Sequence, residues 1–195
     1  MPTPQRTLDG PAPLSPTSSG APETPGARHP SPSGQRGYDT GLLVLRLVLG
    51  LAMAAHGSQK LFGWFGGNGL DGTAQFFTSV GYPAGHTMAL VAGATETFGG
   101  LGLALGLCTP LAGAAVLGTM INASAVTWGD GFFAPGGVEY AVVLAAGAGG
   151  LALTGPGRYA ADSLLPVLRE HRLVHGVLAL LLGLAAAAAV LLVRS

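Results

Sequence analysis

Residues 41–63 read GLLVLRLVLGLAMAAHGSQKLFG, with Arg46, His56 and Lys60 set among Leu, Val, Ala and Gly. A helix needs about 20 residues to cross the hydrocarbon of a bilayer, so this stretch is long enough to span one. Its charges are not scattered. Arg46, Gly50, Met53, Gly57 and Lys60 recur at steps of four, three, four and three, which places them on one helix face, and His56 lies at the edge of that face. Leu42, Leu43, Leu45, Leu49 and Leu51 make up a lipid-compatible remainder. The first helix therefore turns a cationic stripe, relieved by small residues, into a protein interior.

Four more apolar stretches follow, at residues 84–107, 110–128, 138–154 and 173–193. The fourth of the five is the shortest and needs flanking sequence to span; the fifth, with the alanine run 185–189, is the blandest. Composition agrees with this reading. The 195 residues are 49% hydrophobic and 9% charged, whereas a soluble domain carries about 25% charged side chains, so the chain has too few charges to wet a globular surface. A soluble enzyme is excluded on that ground. The expected fold class is all-α: an integral membrane helical bundle of four core transmembrane helices plus a fifth, C-terminal and peripheral.

Nine of the 14 prolines fall in the first 40 residues, where almost nothing apolar is available to offset the entropy of ordering. Three segments are expected: a disordered, cytoplasmic Pro/Ser/Gly-rich tail at 1–40, a four-helix membrane domain at 41–165, and an additional helix at 166–195. The tail lacks the basic region running into an apolar core that marks a secretory signal. Its Arg6, Arg28 and Arg36 are interspersed with Asp9, Glu23 and Asp39, so no nucleic-acid partner is expected. With the tail inside the cell, Arg6, Arg28, Arg36, Arg158, Arg169 and Arg172 fall on the cytoplasmic side, and only Arg194 falls outside. The rule that basic residues stay inside then predicts a multi-pass plasma-membrane protein with its N-terminus in and its C-terminus out. Cys108 stands alone, without a partner for a disulfide or a dithiol centre.

A charge within a membrane helix needs a partner and marks a functional site by default. Glu96 lies mid-span in the second stretch, flanked on its own side by Gly93 and Gly100, which let another helix approach. Counted at 1.5 Å per residue from the outer ends, Glu96 lies about 18 Å deep, Arg46 about 25 Å and His56 about 10 Å. This depth count allows Arg46 and Glu96 to pair directly, whereas a pairing of Glu96 with His56 would need a water or a bent helix, and it lets Asn122 with Thr119 complete a polar network. Arg46, His56, Lys60, Glu96 and Asn122 are the candidate pocket residues. Two readings stay open: a polar pocket for a small redox or protonatable ligand such as a quinone head group, with Glu96 or His56 handling a proton, or buried charges that only specify which helices pack together. Lys60 has the further option of snorkelling to the interface.

Outside the spans, Trp64, Phe65, Trp128, Phe132 and Phe133 suit an external aromatic belt. Residues 70–81 suit a short amphipathic lid helix, capped by Asp71 and stopped at Gly81. His171 and His175, beside Arg169 and Arg172, suit a face near anionic lipid better than a metal site, and no metal is expected. Gly102 and Gly106 form a small-residue face suited to helix contact, including contact in a homo-oligomer.

The residues also resemble a known family. Leu45-Arg46-Leu47-Val48-Leu49-Gly50, then His56-Gly57-Ser58-Gln59-Lys60-Leu61-Phe62-Gly63, is similar to the first helix of the DoxX family of small bacterial membrane proteins. The resemblance continues through Gly69-Leu70-Asp71-Gly72-Thr73-Ala74-Gln75-Phe76-Phe77, Glu96 with Gly99-Gly100-Leu101, Leu105-Gly106-Leu107-Cys108-Thr109-Pro110, and Gly155-Pro156-Gly157-Arg158-Tyr159-Ala160-Ala161-Asp162. It covers residue 41 to about 165. It implies a four-helix membrane bundle related to subunits of a thiosulfate:quinone oxidoreductase and serving a quinone-linked or oxidative-stress redox system, with a quinone as the candidate cofactor and a soluble or membrane oxidoreductase as the candidate partner. It marks Arg46, His56, Lys60, Glu96 and Asp162 as family-pattern positions, with Gly50, Gly57, Asp71, Gly100 and Arg158 inside the same motifs, and assigns none of them a catalytic step. The tail and the fifth span lie outside it.

Overall fold

The computed structural model describes residues 32–133, 135–165 and 172–194. These form six α-helices: α1 (Pro32–Phe62), α2 (Gly69–Ser79), α3 (Gly85–Leu105), α4 (Thr109–Thr127), α5 (Glu139–Thr154) and α6 (Leu173–Leu192). The described residues contain no strand. Four helices, α1, α3, α4 and α6, are long and apolar enough to cross a bilayer, whereas α5 has 16 residues, about 24 Å of helix. Despite its length, α5 runs the same course as its neighbours: Gly147 packs on Leu49 of α1, and Gly113 of α4 packs on Ala148 and Ala152. The five long elements alternate in direction, so Asp39 and Arg194 lie at opposite ends of the bundle. Asp39 accepts a hydrogen bond from the Arg158 amide, and Arg194 donates to the Val80 carbonyl beyond α2.

The first helix begins at Pro32, nine residues before the sequence boundary at Gly41. Residues 32–40 are thus its first turns and not tail, because Asp39 is buried and tied to the loop after α5. Tertiary anchoring overrides the poor propensity of a segment with two glycines. The tail reading for residues 1–31, and the readings for Arg169 and His171, fall outside the described residues.

Glycine sets the helix spacing. A Cβ on Gly50 would lie 2.5 Å from the Ala104 amide nitrogen and the Gly100 carbonyl, and one on Gly100 would lie 2.5 Å from the Ala54 nitrogen and the Gly50 carbonyl. Backbones in contact along this seam weld α1 to α3, which is how helices associate where lipid removes the hydrophobic drive. The same device docks α6 on α4: a Cβ on Gly183 would meet the Ala114 carbonyl at 2.5 Å. The apolar core between the helices contains Met53, Leu103, Val116 and Leu151, all wholly buried. Leu42 and Leu49, assigned to lipid from the sequence, are buried against Gly157 and Gly147 respectively, whereas Leu45 and Leu51 are exposed. Gly102 and Gly106 are likewise consumed inside the bundle. Gly102 packs on Ala112, and Gly106, in the left-handed region at φ 67°, ends α3 against Arg46 and Ala160.

The lid helix exists as α2, with Thr73 buried and Ala74 and Phe77 half-buried beneath it. It packs on α3 and α1. Asp71 does not cap it. Asn68 occupies the N-cap position without a side-chain bond, and Asp71 lies exposed inside the first turn. Gly81, at φ 90°, follows its end. Trp64, Phe65, Trp128, Phe132 and Phe133 are all exposed, just past the ends of α1 and α4.

Candidate functional site

Lys60 on α1 and Glu96 on α3 form an ion pair, with Lys60 Nζ donating to Glu96 Oε2 at 2.6 Å. Helix direction explains why these two meet. Side chains lean toward the N-terminus of their own helix; α1 runs toward the α2 end, so Lys60 leans into the bundle, and α3 runs away from that end, so Glu96 leans back toward it. Glu96 is 2% exposed and Lys60 28%. Among the described residues, Glu96 Oε1 takes no hydrogen bond.

The Arg46–Glu96 pair that the depth count allows does not form. Depth counting assumed that α1 and α3 start at one plane, but Gly57 stands level with Gly93 and Thr97. The first turn and a half of α3 therefore rises past the end of α1, by about 8 Å. That shift raises Glu96 to the level of His56, about one turn from Lys60 and within reach of its side chain, and leaves Arg46 about 15 Å further along the axis, opposite Gly106.

Arg46 belongs to a cluster at the other end of the bundle. It is wholly buried and donates through Nη2 to the Tyr159 carbonyl, while its Nε and Nη1 have no partner among the described residues. Asp162 acts on it electrostatically. The Asp162 carboxylate itself accepts from the Cys108 amide at 2.7 Å, the Thr109 amide at 3.0 Å and the Thr109 hydroxyl at 3.1 Å. It thereby caps the start of α4 from the loop after α5. Arg158 contributes its backbone amide to Asp39 at 3.0 Å.

At the α2 end, His56, Lys60, Glu96, Thr119 and Asn122 line one cavity of about 560 Å³. The His56 Nε2 lies 3.0 Å from the Tyr140 hydroxyl, with the two rings 5.5 Å apart. Asn122 is held on three sides: Nδ2 donates to the Gly118 carbonyl at 3.0 Å and the Ala187 carbonyl at 3.4 Å, and Oδ1 accepts from the Tyr82 hydroxyl at 3.2 Å. The rest of the wall is apolar, with Phe76 and Phe77 of α2 at one side and Leu182, Ala186 and Val190 of α6 at another. The fifth span is thus a wall of the cavity and not a bystander. Arg194 at its end reaches over the Tyr82 ring at 5.9 Å and donates to the Ala125 carbonyl at 3.2 Å. Burial pushes the Tyr82 phenol above its ordinary value, and the Arg194 cation opposes that shift.

Tyr140 and Tyr82 are the two polar groups that sequence reasoning missed. Each is an aromatic residue near a helix end, a position where tyrosine ordinarily serves as an interface anchor. The usable signal was Tyr140 standing one residue into an apolar helix at the end where His56 also lies.

This arrangement offers donors, an acceptor and a long apolar wall in one open cavity. Small-ligand sites have this character, mostly apolar with a few placed polar groups and a volume of about 300–1,000 Å³.

Residues 41–128 match the family model described as DoxX. The match contains Arg46, His56, Lys60, Glu96 and Asn122 and stops short of the 155–162 stretch included in the sequence resemblance. The chain is similar to a protein of Bacillus subtilis (strain 168) named "Putative oxidoreductase CatD", at 35% identity over 88 residues, which is 45% of this chain and 60% of that protein. The similarity thus spans less than two thirds of that relative's length. No solved structure matches the chain.

Proposed function

We propose that this DoxX-domain membrane protein is the membrane component of a quinone-linked redox system, and that its cavity at the α2 end binds the quinone. The observation that carries the proposal is the placement of the Lys60–Glu96 pair and the His56–Tyr140 contact on the wall of a single, otherwise apolar cavity. A quinone head presents two carbonyl acceptors on a ring with an apolar tail. Lys60, His56 and Tyr140 supply donors for such carbonyls, and Glu96 offers a free carboxylate oxygen able to hold a proton beside them. The apolar faces of α2 and α6 suit the tail. The name of the Bacillus subtilis relative supports an oxidoreductase setting. In this reading a partner oxidoreductase supplies the electrons. The bundle is read as a multi-pass plasma-membrane protein with the α2 end outside.

The competing reading is a non-catalytic subunit whose charges only fix packing. It draws on the glycine seam, since the Lys60–Glu96 pair joins the same two helices that Gly50 and Gly100 bring into contact. Titration of the purified protein with ubiquinone-1, followed by quenching of tryptophan fluorescence, separates the two. Glu96→Gln should weaken binding at least tenfold with little loss of thermal stability; unchanged binding with a lowered melting temperature would favour packing.

A further inference from the structure

A second cavity of about 580 Å³ adjoins the first at the α2 end of the bundle. Its wall includes Thr127 at the end of α4, Gly136 and Gly137 before α5, and Glu139 at the start of α5. Four residues, Ala123, Thr127, Tyr140 and Ala141, line both cavities. Three of these have short side chains, so the Tyr140 ring is the only bulky partition among the shared residues. The two chambers also differ in character. The inner one is walled mainly by apolar helix faces, whereas the outer one sets the Glu139 carboxylate and the backbone of two glycines beside Phe133 and Pro135. With that carboxylate and exposed backbone, the outer chamber is the more polar of the two.

Tyr140 is held in place from one side. Its hydroxyl meets His56 Nε2 at 3.0 Å, and no other hydrogen bond of that hydroxyl occurs among the described residues. Half of the residue is exposed. A ring nitrogen of histidine makes one hydrogen bond, as donor or acceptor according to tautomer. Any group that takes Nε2 from inside the cavity must therefore release Tyr140.

We propose that Tyr140 is a gate between the inner cavity and a polar vestibule, so that water and small polar solutes reach His56, Lys60 and Glu96 from the α2 end of the bundle, with His56 as the latch. Occupancy of His56 and opening of the gate are then linked: a bound head group frees Tyr140. The route does not depend on which small molecule occupies the cavity, and it stands apart from the quinone reading.

The test is accessibility of a reporter thiol. Thr119 lines the inner cavity only, so Thr119→Cys is introduced into the full-length protein. Cys108 is replaced by Gly, which suits its left-handed φ of 47°. The protein is reconstituted in vesicles, and a charged, membrane-impermeant methanethiosulfonate is applied from either side. Tyr140→Phe keeps the partition and removes the latch, and should speed labelling from the α2 side about fivefold, the factor expected from one lost hydrogen bond. His56→Ala should do the same. Tyr140→Ala removes the partition and should speed labelling tenfold or more, from that side alone. Equal rates in all four proteins, or acceleration from the opposite side, would overturn the gate. A variant that loses its monodisperse elution is replaced by Tyr140→Leu, which should fall between the Phe and Ala variants; a rate at or below that of the unaltered gate counts against the proposal.

Discussion

Breaking the Lys60–Glu96 pair should be far costlier from one side than from the other. Removing one partner of a buried ion pair typically costs about 3–5 kcal/mol, because the survivor is left charged and unpaired. Here the survivors differ. After Lys60→Met, the Glu96 carboxylate stays at 2% exposure on a short side chain in the middle of α3, so a penalty of about 3 kcal/mol is expected. After Glu96→Met, Lys60 is two residues from the end of α1 and already 28% exposed. Its flexible stem can carry the ammonium to the interface, and about 1 kcal/mol is expected, as for an exposed pair. The double substitution Lys60→Met/Glu96→Met removes both charges and fills the space with adaptable apolar groups; replacing a buried pair in this way is often neutral. Its cost should therefore be about 0–1 kcal/mol, against about 4 for the singles added together, a coupling of about 3 kcal/mol. Unfolding in mixed dodecylmaltoside and dodecylsulfate micelles, followed by the fluorescence of Trp64 and Trp128, measures all four proteins. Single costs that add to within about 0.5 kcal/mol, or a Glu96→Met penalty larger than that of Lys60→Met, would refute the geometry. The double variant carries a second use: if it is as stable as the parent and has lost ubiquinone-1 binding, the pair serves the ligand and adds no net stability to the fold.

Three other outcomes are expected. Gly57→Ala puts a Cβ 2.5 Å from the Thr97 amide nitrogen and should cost about 1–3 kcal/mol by forcing α1 from α3, whereas Gly150→Ala meets nothing within 4 Å and should be neutral or slightly stabilising in the same unfolding assay. Asp162→Ala removes the acceptor of three hydrogen bonds at the start of α4 and should cost at least about 3 kcal/mol. Asp162→Asn, with one acceptor oxygen in place of two, should recover less than half of that, and a full rescue measured by thermal melting would count against the capping role. Reporter fusions at the two termini should appear on opposite sides of the membrane, the C-terminal one outside, because Asp39 and Arg194 lie at opposite ends of the bundle; reporters on one side would mean an even number of crossings.

What was legible in the sequence was whatever a single helix encodes. The stripe of Arg46, Gly50, Met53 and Gly57 is a periodicity, and all four are buried. The lid at α2 was legible because a glycine stop and an apolar repeat are local signals. Pairing between helices was not, because it depends on how far one helix is shifted along another. A displacement of about 8 Å between α1 and α3 suffices to exchange Arg46 for Lys60 as the partner of Glu96. Glycine contacts fix that displacement, and the sequence shows the glycines but not which backbone they meet. The start of α1 was hidden for a related reason: residues 32–40 look unstructured until Asp39 finds the Arg158 amide, 119 positions away.

The two polar clusters divide the candidate residues by what their groups are free to do. At the Asp162 end, Asp39 and Asp162 spend their oxygens on backbone amides and a hydroxyl, and Arg46 spends Nη2 on a carbonyl. These contacts tie the loop after α5 to α1 and α4, a fastening job that a buried charge performs by being costly to leave unpaired. At the α2 end, the groups face a cavity instead. Three of them, His56, Lys60 and Glu96, lie within the DoxX segment, yet Tyr140 and the α6 wall lie beyond residue 128, where the family match stops. The shared segment thus supplies the charged pair, the latch histidine and the α2 side of the apolar wall, and the remainder of this chain supplies the partition and the α6 side. Part of the recognition of a ligand's shape should accordingly reside in α5 and α6. Exchanging Leu182 and Ala186 for larger or smaller apolar residues should change which tail length binds best, by about fourfold per methylene altered. The effect of Glu96→Gln on binding should stay the same for every tail. A tail preference that ignores α6 and shifts instead with the Lys60–Glu96 pair would place recognition in the family segment and remove the argument for a divided site.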